Sequence, residues 1–81
     1  MDRKMHLCDM LPGTKAVVES VDTKGSMRRR FFDIGLIRGT VVECVGVSPL
    51  KDPKAYLIRG AVIAIRNEDC ADICVSVMEG K

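Results

Sequence analysis

Short segments of β-branched residues, separated by turn signals, are the feature that most limits how this chain can fold. The chain contains ten Val and six Ile but five Leu, and its long apolar runs, such as Ala61–Ile65, hold only a handful of residues. β-Branched side chains lose rotamer freedom in helices and pack well on pleated sheets. Because 81 residues are enough for one domain only, the sequence predicts a single, mainly β domain.

Turn residues place the predicted strands along the chain. Pro12-Gly13 and the segment 22–25 enclose a first strand, and the proline-containing segment 48–53 is predicted to be a loop. Arg59-Gly60 is the predicted turn of a hairpin, because glycine adopts conformations that other residues avoid. Strands are therefore predicted at residues 14–21, 40–47, 56–58, 61–65 and 73–77.

One short helix is predicted between the first two strands. Met27, Phe31 and Ile34 fall at i, i+4 and i+7, which places them on one helical face. Ser26 precedes them as an N-cap residue, and Gly35 follows as the residue that ends the helix. This spacing indicates a helix that is buried on one side.

A helical turn and the start of the chain complete the predicted architecture. Asn67 is suited to cap a single helical turn before the last strand. Residues 1–6 are predicted to form a flexible tail, which leaves residues 7–81 for the domain. Closing short strands into a barrel removes exposed strand edges. We therefore expect a mainly β, partly closed small barrel of about five strands, with one short helix and one helical turn inserted.

The sequence contains no set of residues suited to catalysis. Its only imidazole, His6, lies in the predicted tail, where no partner group would hold it in position. None of the serines lies in a G-x-S-x-G turn, and neither glycine-rich phosphate-binding pattern occurs. We therefore expect that the protein is not an enzyme.

The cysteines indicate, at most, a weak metal site. Cys8, Cys44, Cys70 and Cys74 form no C-x-x-C pair and are interpreted as reduced, half-buried apolar residues. His6 and Cys8, at i and i+2, would share one face of an extended segment. They are the weak candidates for binding ferrous iron or another divalent transition metal, although two ligands fall short of a tetrahedral set.

Arg28, Arg29 and Arg30 form the densest charge in the chain. They are candidates for contacting an acidic partner surface, and the alternative is that they form the solvated face of the short helix. A third possibility is binding to nucleic acid. Aromatic rings for base stacking are scarce and the net charge is only +2, so no nucleic-acid partner is expected.

The sequence offers no segment for entering or crossing a membrane. Its apolar runs are much shorter than the roughly 20 residues of a membrane-spanning helix, and no apolar signal core follows the N-terminus. We therefore expect a cytoplasmic protein with no direct membrane insertion.

Four segments of the chain together match the motifs of one family. They are residues 7–18 with Pro12-Gly13, the basic stretch 28–39 that ends in glycine, the loop Val47-Ser48-Pro49-Leu50-Lys51-Asp52-Pro53, and residues 60–66 with Ile73. On these segments the chain resembles the FeoA family of small ferrous iron transport accessory proteins, whose fold is like an SH3 barrel. Ser48 and Lys51 stand where that family's loop has Ala and Gly.

The resemblance implies an SH3-like barrel with the membrane transporter FeoB as its partner. The barrel would bind the cytosolic GTP-binding region of FeoB, modulate transport and be recruited to the inner face of the membrane. Arg28, Arg29 and Arg30 match the family's basic helix and are the candidate partner-binding residues. The alternative is a metal-binding or metal-sensing module, because the same barrel occurs as the C-terminal domain of iron-dependent repressors.

Overall fold

This computed structural model describes residues 3–78. They contain six strands and two short helices. The helices are α1 (Ser26–Asp33) and α2 (Asn67–Cys70), and a 3-10 turn covers Leu7–Asp9. The strands are β1 (Arg3–His6), β2 (Lys15–Val21), β3 (Val41–Val47), β4 (Lys54–Ile58), β5 (Ala61–Ile65) and β6 (Ile73–Val77). They form one antiparallel sheet in the order β1-β6-β2-β3-β4-β5, which confirms the predicted mainly β class.

The N-terminal segment forms a strand, so the predicted flexible tail is wrong for residues 3–6. β1 pairs with β6, with Met5 opposite Val75 and His6 opposite Cys74. Met5 also packs against the core. The sequence does not indicate this strand because its pairing partner lies at the other end of the chain. The sheet therefore has six strands instead of five, and residues 1 and 2 lie outside the described residues.

Two bulges let the sheet curl around a buried core. The pairing register shifts between Val18 and Ser20 on β2 and between Cys44 and Gly46 on β3. A bulge bends its strand and increases the local twist, which brings the inner faces of the sheet together. The buried apolar cluster consists of Leu7, Met10, Ala16, Val18, Phe31, Leu36, Val42, Cys44, Tyr56, Ile58, Ile65, Cys70, Ile73 and Val75.

Tyr56 joins the 3-10 turn to the barrel from the inside. Its side chain is fully buried, and its hydroxyl donates to the Leu7 carbonyl at 3.1 Å and accepts from the Cys70 thiol at 3.7 Å. Lys54, two residues earlier on β4, donates from Nζ to the Cys8 carbonyl. Because buried carbonyl groups are costly without a donor, these bonds fix the 3-10 turn against β4.

The predicted helix is confirmed as α1, and Gly35 ends it as expected. Gly35 has a φ of 91°, and its N–H donates to the Phe32 carbonyl at 3.0 Å, as in helices that end in the left-handed conformation. The N-cap residue is Gly25, so the predicted N-cap role of Ser26 is wrong. No helix within residues 3–78 is long and apolar enough to cross a membrane.

The loop of residues 48–53 holds the start of α2. The Asp52 carboxylate accepts from the Asn67 N–H at 2.9 Å, and the Asn67 side-chain amide donates to the Lys51 carbonyl at 3.1 Å. The side-chain cap of this helix therefore comes from the loop, and the predicted capping role of Asn67 is wrong. Lys51 has a φ of 67°, so a lysine adopts here the left-handed conformation that glycine adopts more easily.

Candidate functional site

Helical geometry separates the three predicted arginines. Successive residues of a helix are rotated by about 100°, so Arg28 and Arg30 point to opposite sides of α1. Arg28 lies beside β2, and Arg30 lies beside β5. All three arginines, including Arg29, are exposed, but they do not form one basic patch.

Two contacts hold Arg28 in place. Its Nη1 donates to the Val21 carbonyl at 2.9 Å, and its guanidinium carbon lies 4.7 Å from the centroid of the Phe32 ring. A cation over an aromatic face is attracted by the ring quadrupole, which contributes about 0.5–1 kcal/mol at an exposed site. Because Arg28 is already ordered, less side-chain entropy is lost when a partner binds it.

Exposed apolar side chains surround this arginine. Phe32 and Ile37 are each 42% exposed, although both are large apolar residues. Arg29 lies three residues before Phe32 and therefore on the same side of the helix. A groove between α1, β2 and the segment after the helix is lined by Glu19, Ser20, Val21, Arg28, Phe32, Ile37 and Arg38. We refer to Arg28, Arg29, Phe32, Ile37 and Arg38 as the α1 surface.

The α1 surface is suited to an acidic protein partner. Arg28 and Arg38 line the groove together with one acidic residue, Glu19, and no salt bridge joins these arginines or Arg29 to an acidic side chain within residues 4–78. Aromatic and arginine side chains are enriched at protein interfaces, and a positive surface speeds encounter with a negative one. The α1 surface therefore has the residue types that are common at protein interfaces.

The predicted metal candidates lie near each other in sequence but do not form a ligand set. The chain enters the 3-10 turn after His6, so Cys8 does not share an extended segment with it as expected. The His6 Nδ1 atom lies 3.8 Å from the Asp9 carboxylate at the surface. Burial, and secondly the charge of Asp9, raise the pKa of the Cys8 thiol, which disfavours the metal-binding thiolate. Among the described residues, no three His, Cys, Asp or Glu side chains are grouped to hold an ion.

Sequence reasoning misses the apolar part of the α1 surface. The helical spacing does indicate that Phe32 is exposed, because Phe32 falls outside the helix face that the sequence predicts to be buried. Ile37 and Arg38 lie beyond the end of the helix, and only the tertiary structure brings them alongside Phe32. The sequence likewise gives no indication that Lys54 and Tyr56 bind the backbone of the N-terminal segment.

Comparison with known proteins assigns this chain to a family. The FeoA domain model matches residues 5–77. The chain belongs to the FeoA family. A relative of it is the Fe(2+) transport protein A/Fe(2+) transporter FeoB fusion protein of Porphyromonas gingivalis, which is 32% identical over 74 residues. This match covers 91% of the chain but only 9% of the length of that relative.

Solved structures of FeoA proteins have the same fold. The FeoA protein of Chlorobium tepidum is 31% identical, with a TM-score of 0.87 over 95% of this chain and 73% of that chain. The zinc complex of Stenotrophomonas maltophilia FeoA, described as an SH3 domain protein, is 27% identical, with a TM-score of 0.78 over 88% of each chain. The predicted SH3-like barrel and the resemblance to FeoA are therefore confirmed, and the FeoA family functions in ferrous iron transport.

A more distant solved structure also shares the fold. IdeR of T. acidophilum has a TM-score of 0.81 over 93% of this chain and 34% of its own chain, at 21% identity. This likeness concerns the architecture of the barrel alone.

Proposed function

We propose that this FeoA protein is an accessory protein that binds the cytosolic GTP-binding region of a FeoB-like transporter and modulates ferrous iron transport. The observation that carries the proposal is the Porphyromonas gingivalis relative, which is a fusion protein of Fe(2+) transport protein A and the Fe(2+) transporter FeoB. Fusion gives two domains a high effective concentration for each other, which favours association without new contacts. We infer that the two domains also touch each other through a binding surface on FeoA.

We assign the contact with FeoB to the α1 surface. A few aromatic and arginine residues contribute most of the binding energy in many interfaces. Phe32 is an exposed aromatic residue here, and Arg28 beside it is ordered by the Val21 carbonyl and by the ring. Arg29 and Arg38 add positive charge at the rim, which favours an acidic surface on the transporter.

In this proposal the protein acts by contact and not by catalysis. A bound protein shifts the conformational equilibrium of its partner only by the difference between its affinities for the partner's states. Modulation of transport therefore requires the α1 surface to bind one state of the GTP-binding region more tightly than another. Binding recruits the protein from the cytoplasm to the inner face of the membrane.

Isothermal titration calorimetry with the cytosolic region of FeoB tests this proposal. We expect Arg28→Glu and Phe32→Ala each to weaken binding about tenfold or more, which corresponds to about 1.4 kcal/mol. Leu50→Ala is the matched control, because Leu50 is 87% exposed and lies outside the α1 surface. If the native chain does not bind with or without guanine nucleotide, the partner is wrong. If all variants bind equally, the surface is wrong.

A metal-binding or metal-sensing role is the second candidate function. The zinc complex of the Stenotrophomonas maltophilia protein supports it, and His6 and Asp9 offer an exposed nitrogen and carboxylate near each other. NMR titration of the full chain with zinc or ferrous iron tests this role. We expect the amides of His6, Cys8 and Asp9 to shift, and the shifts to disappear in His6→Ala. Unchanged spectra at millimolar metal would exclude the role.

A further inference from the structure

β5 is an unprotected strand at the edge of the sheet. It ends the strand order β1-β6-β2-β3-β4-β5, and its sequence, Ala61 to Ile65, contains neither a charged residue nor a proline. Val62 is 65% exposed, and Ala61 and Ala64 are exposed as well. Edge strands are normally protected by charges, prolines or bulges, because their free backbone groups pair with other chains. β1, at the opposite edge, contains charged residues.

The pairing register shows which backbone groups of β5 are free. Ile58 and Ala61 flank the two-residue turn of the β4–β5 hairpin and face each other. In such a hairpin the flanking pair is hydrogen-bonded, and every second residue thereafter turns its backbone groups toward the partner strand. Val62 and Ala64 therefore direct their N–H and C=O groups away from β4. No backbone hydrogen bond joins these groups to another element within residues 3–78.

A groove lies directly beside this free edge. It has a volume of about 240 Å³ and separates β5 from α1, with Met27, Ile34 and Ile63 among the apolar residues of its walls. Strands in a sheet lie about 4.8 Å apart, and alternate side chains point to opposite faces. A strand added to β5 would therefore direct every second side chain into the groove, and the other side chains would lie beside Val62.

Two arginines line the groove, and a third lies outside it at the far end of β5. Arg30 and Arg66 line it together with Asp69, and no salt bridge of 4 Å or less joins either arginine to an acidic side chain among residues 4–78. Arg59 lies at the other end of β5, in the hairpin turn. The apolar centre of the site therefore has cations at both of its ends.

We propose that the β5 edge and its groove bind an extended protein segment with alternating apolar residues and acidic residues at its ends, which adds to the sheet as a seventh strand. Backbone bonds to Val62 and Ala64 supply affinity in this mode of binding, and the side-chain pocket supplies specificity. The arginines at the two ends select acidic flanks by charge complementarity.

The same charges disfavour a second copy of this chain as the occupant. In the antiparallel register that places Val62 of one copy opposite Ala64 of the other, Gly60 of one copy faces Arg66 of the other. This register also brings Arg59 close to Arg66 of the other copy at both ends of the pair. The two arginines lie one position apart across the pair, and like charges this close repel each other. A segment with acidic ends turns these contacts into attractive ones.

NMR titration of the full chain with a synthetic peptide tests the proposal. The probe is the acetylated and amidated peptide Glu-Val-Thr-Val-Ser-Val-Glu, and its charge control has Lys at both ends. We expect the acidic peptide to shift the amides of Val62 and Ala64 and the methyl groups of Met27 and Ile34. We expect it to bind at least about tenfold more tightly than the lysine peptide.

Two substitutions at one position separate backbone pairing from non-specific attraction. Ala64→Pro removes an outward N–H, which an edge strand tolerates, and we expect it to weaken peptide binding at least about tenfold. Ala64→Ser keeps the N–H and serves as the matched control, and thermal unfolding of both variants verifies that they fold. Equal peptide affinity of the two variants, or no shift at millimolar peptide, would overturn the proposal. Shifts at Val62 and Ala64 that depend on protein concentration without peptide would show that a second copy is the occupant.

This inference does not depend on the proposed contact with FeoB. Phe32→Ala removes part of the α1 surface but no residue of the β5 groove. We expect this variant to bind the peptide with unchanged affinity even though it loses affinity for FeoB. Loss of both activities together would contradict the separation of the two sites.

Discussion

At the scale of the residue, Tyr56 shows how one polar side chain organises an apolar core. Its hydroxyl links β4 to the 3-10 turn through Leu7 and to α2 through Cys70. The sequence predicts a strand at Tyr56 but not these bonds, because they join residues far apart in the chain. Burial raises the pKa of Tyr56, and it raises the pKa of Cys70 to about 12.

These buried groups make stability depend on pH in the alkaline range. The unfolded chain loses the Cys70 proton near pH 9, whereas the folded chain keeps it until about pH 12. The contribution of this buried thiol to the free energy of unfolding is therefore fully present below pH 9. It falls as the pH rises toward 12, by about 1.4 kcal/mol per pH unit for one such group. Urea unfolding at several pH values measures this slope. We expect Cys70→Ala to have a shallower slope than the native protein.

The control for this experiment is a truncation at another buried position, which leaves the Cys70 thiol in place. Val18→Ala removes methyl groups from the same core and is expected to lower stability at every pH without changing the slope. A slope that is the same in Cys70→Ala and in the native chain would contradict the buried thiol as its origin.

Lys51 is the second position where a single residue has a measurable consequence. A left-handed conformation costs a residue with a Cβ about 1–2 kcal/mol, and the greater freedom of unfolded glycine offsets about 0.4–1 kcal/mol. We therefore expect Lys51→Gly to raise the free energy of unfolding by about 0.5–1 kcal/mol. Lys51→Ala keeps the Cβ and is expected to leave it unchanged. Urea unfolding compares the two variants, and an equal effect of both would contradict the backbone explanation.

At the scale of the element, the sequence predicts what local patterns determine. α1 is predicted because its buried face and its terminal glycine lie close together in the sequence. β1 is not predicted, because its pairing with β6 forms only in the folded molecule. For the same reason the cap of α2 is assigned to Asn67, although Asp52 in a distant loop accepts the bond. Elements whose partners are remote are therefore the ones that sequence reasoning misses.

The end of α1 provides a test at this scale. A Cβ added to Gly35 would collide with the Arg59 side chain, and the positive φ adds about 1–2 kcal/mol of backbone strain. Gly39 has a similar φ of 93°, but an added Cβ there meets no atom within 4 Å. Because the exposed Arg59 side chain can shift, we expect Gly35→Ala to destabilise the protein only slightly more than Gly39→Ala, as measured by urea unfolding. Equal losses would contradict the packing of Arg59 on the helix end.

At the scale of the whole molecule, function depends on surfaces that separate chain segments build together. Four ordered motifs are enough to predict the SH3-like barrel and the family. They do not show that Phe32 and Ile37 form one exposed surface, or that Arg30 lies on the other side of α1 beside β5. The sequence therefore predicts the kind of protein well, whereas the binding surface requires the three-dimensional structure.

NMR mapping of the FeoB cytosolic region onto the labelled full chain tests most directly whether the α1 surface binds the transporter. We expect the amides of Arg29, Phe32 and Ile37 to shift or broaden as the transporter region is added. The amides of Leu11 and Leu50, which are exposed outside that surface, are expected to stay unchanged. Changes that leave Arg29, Phe32 and Ile37 unaffected at saturation would contradict the α1 surface as the binding site.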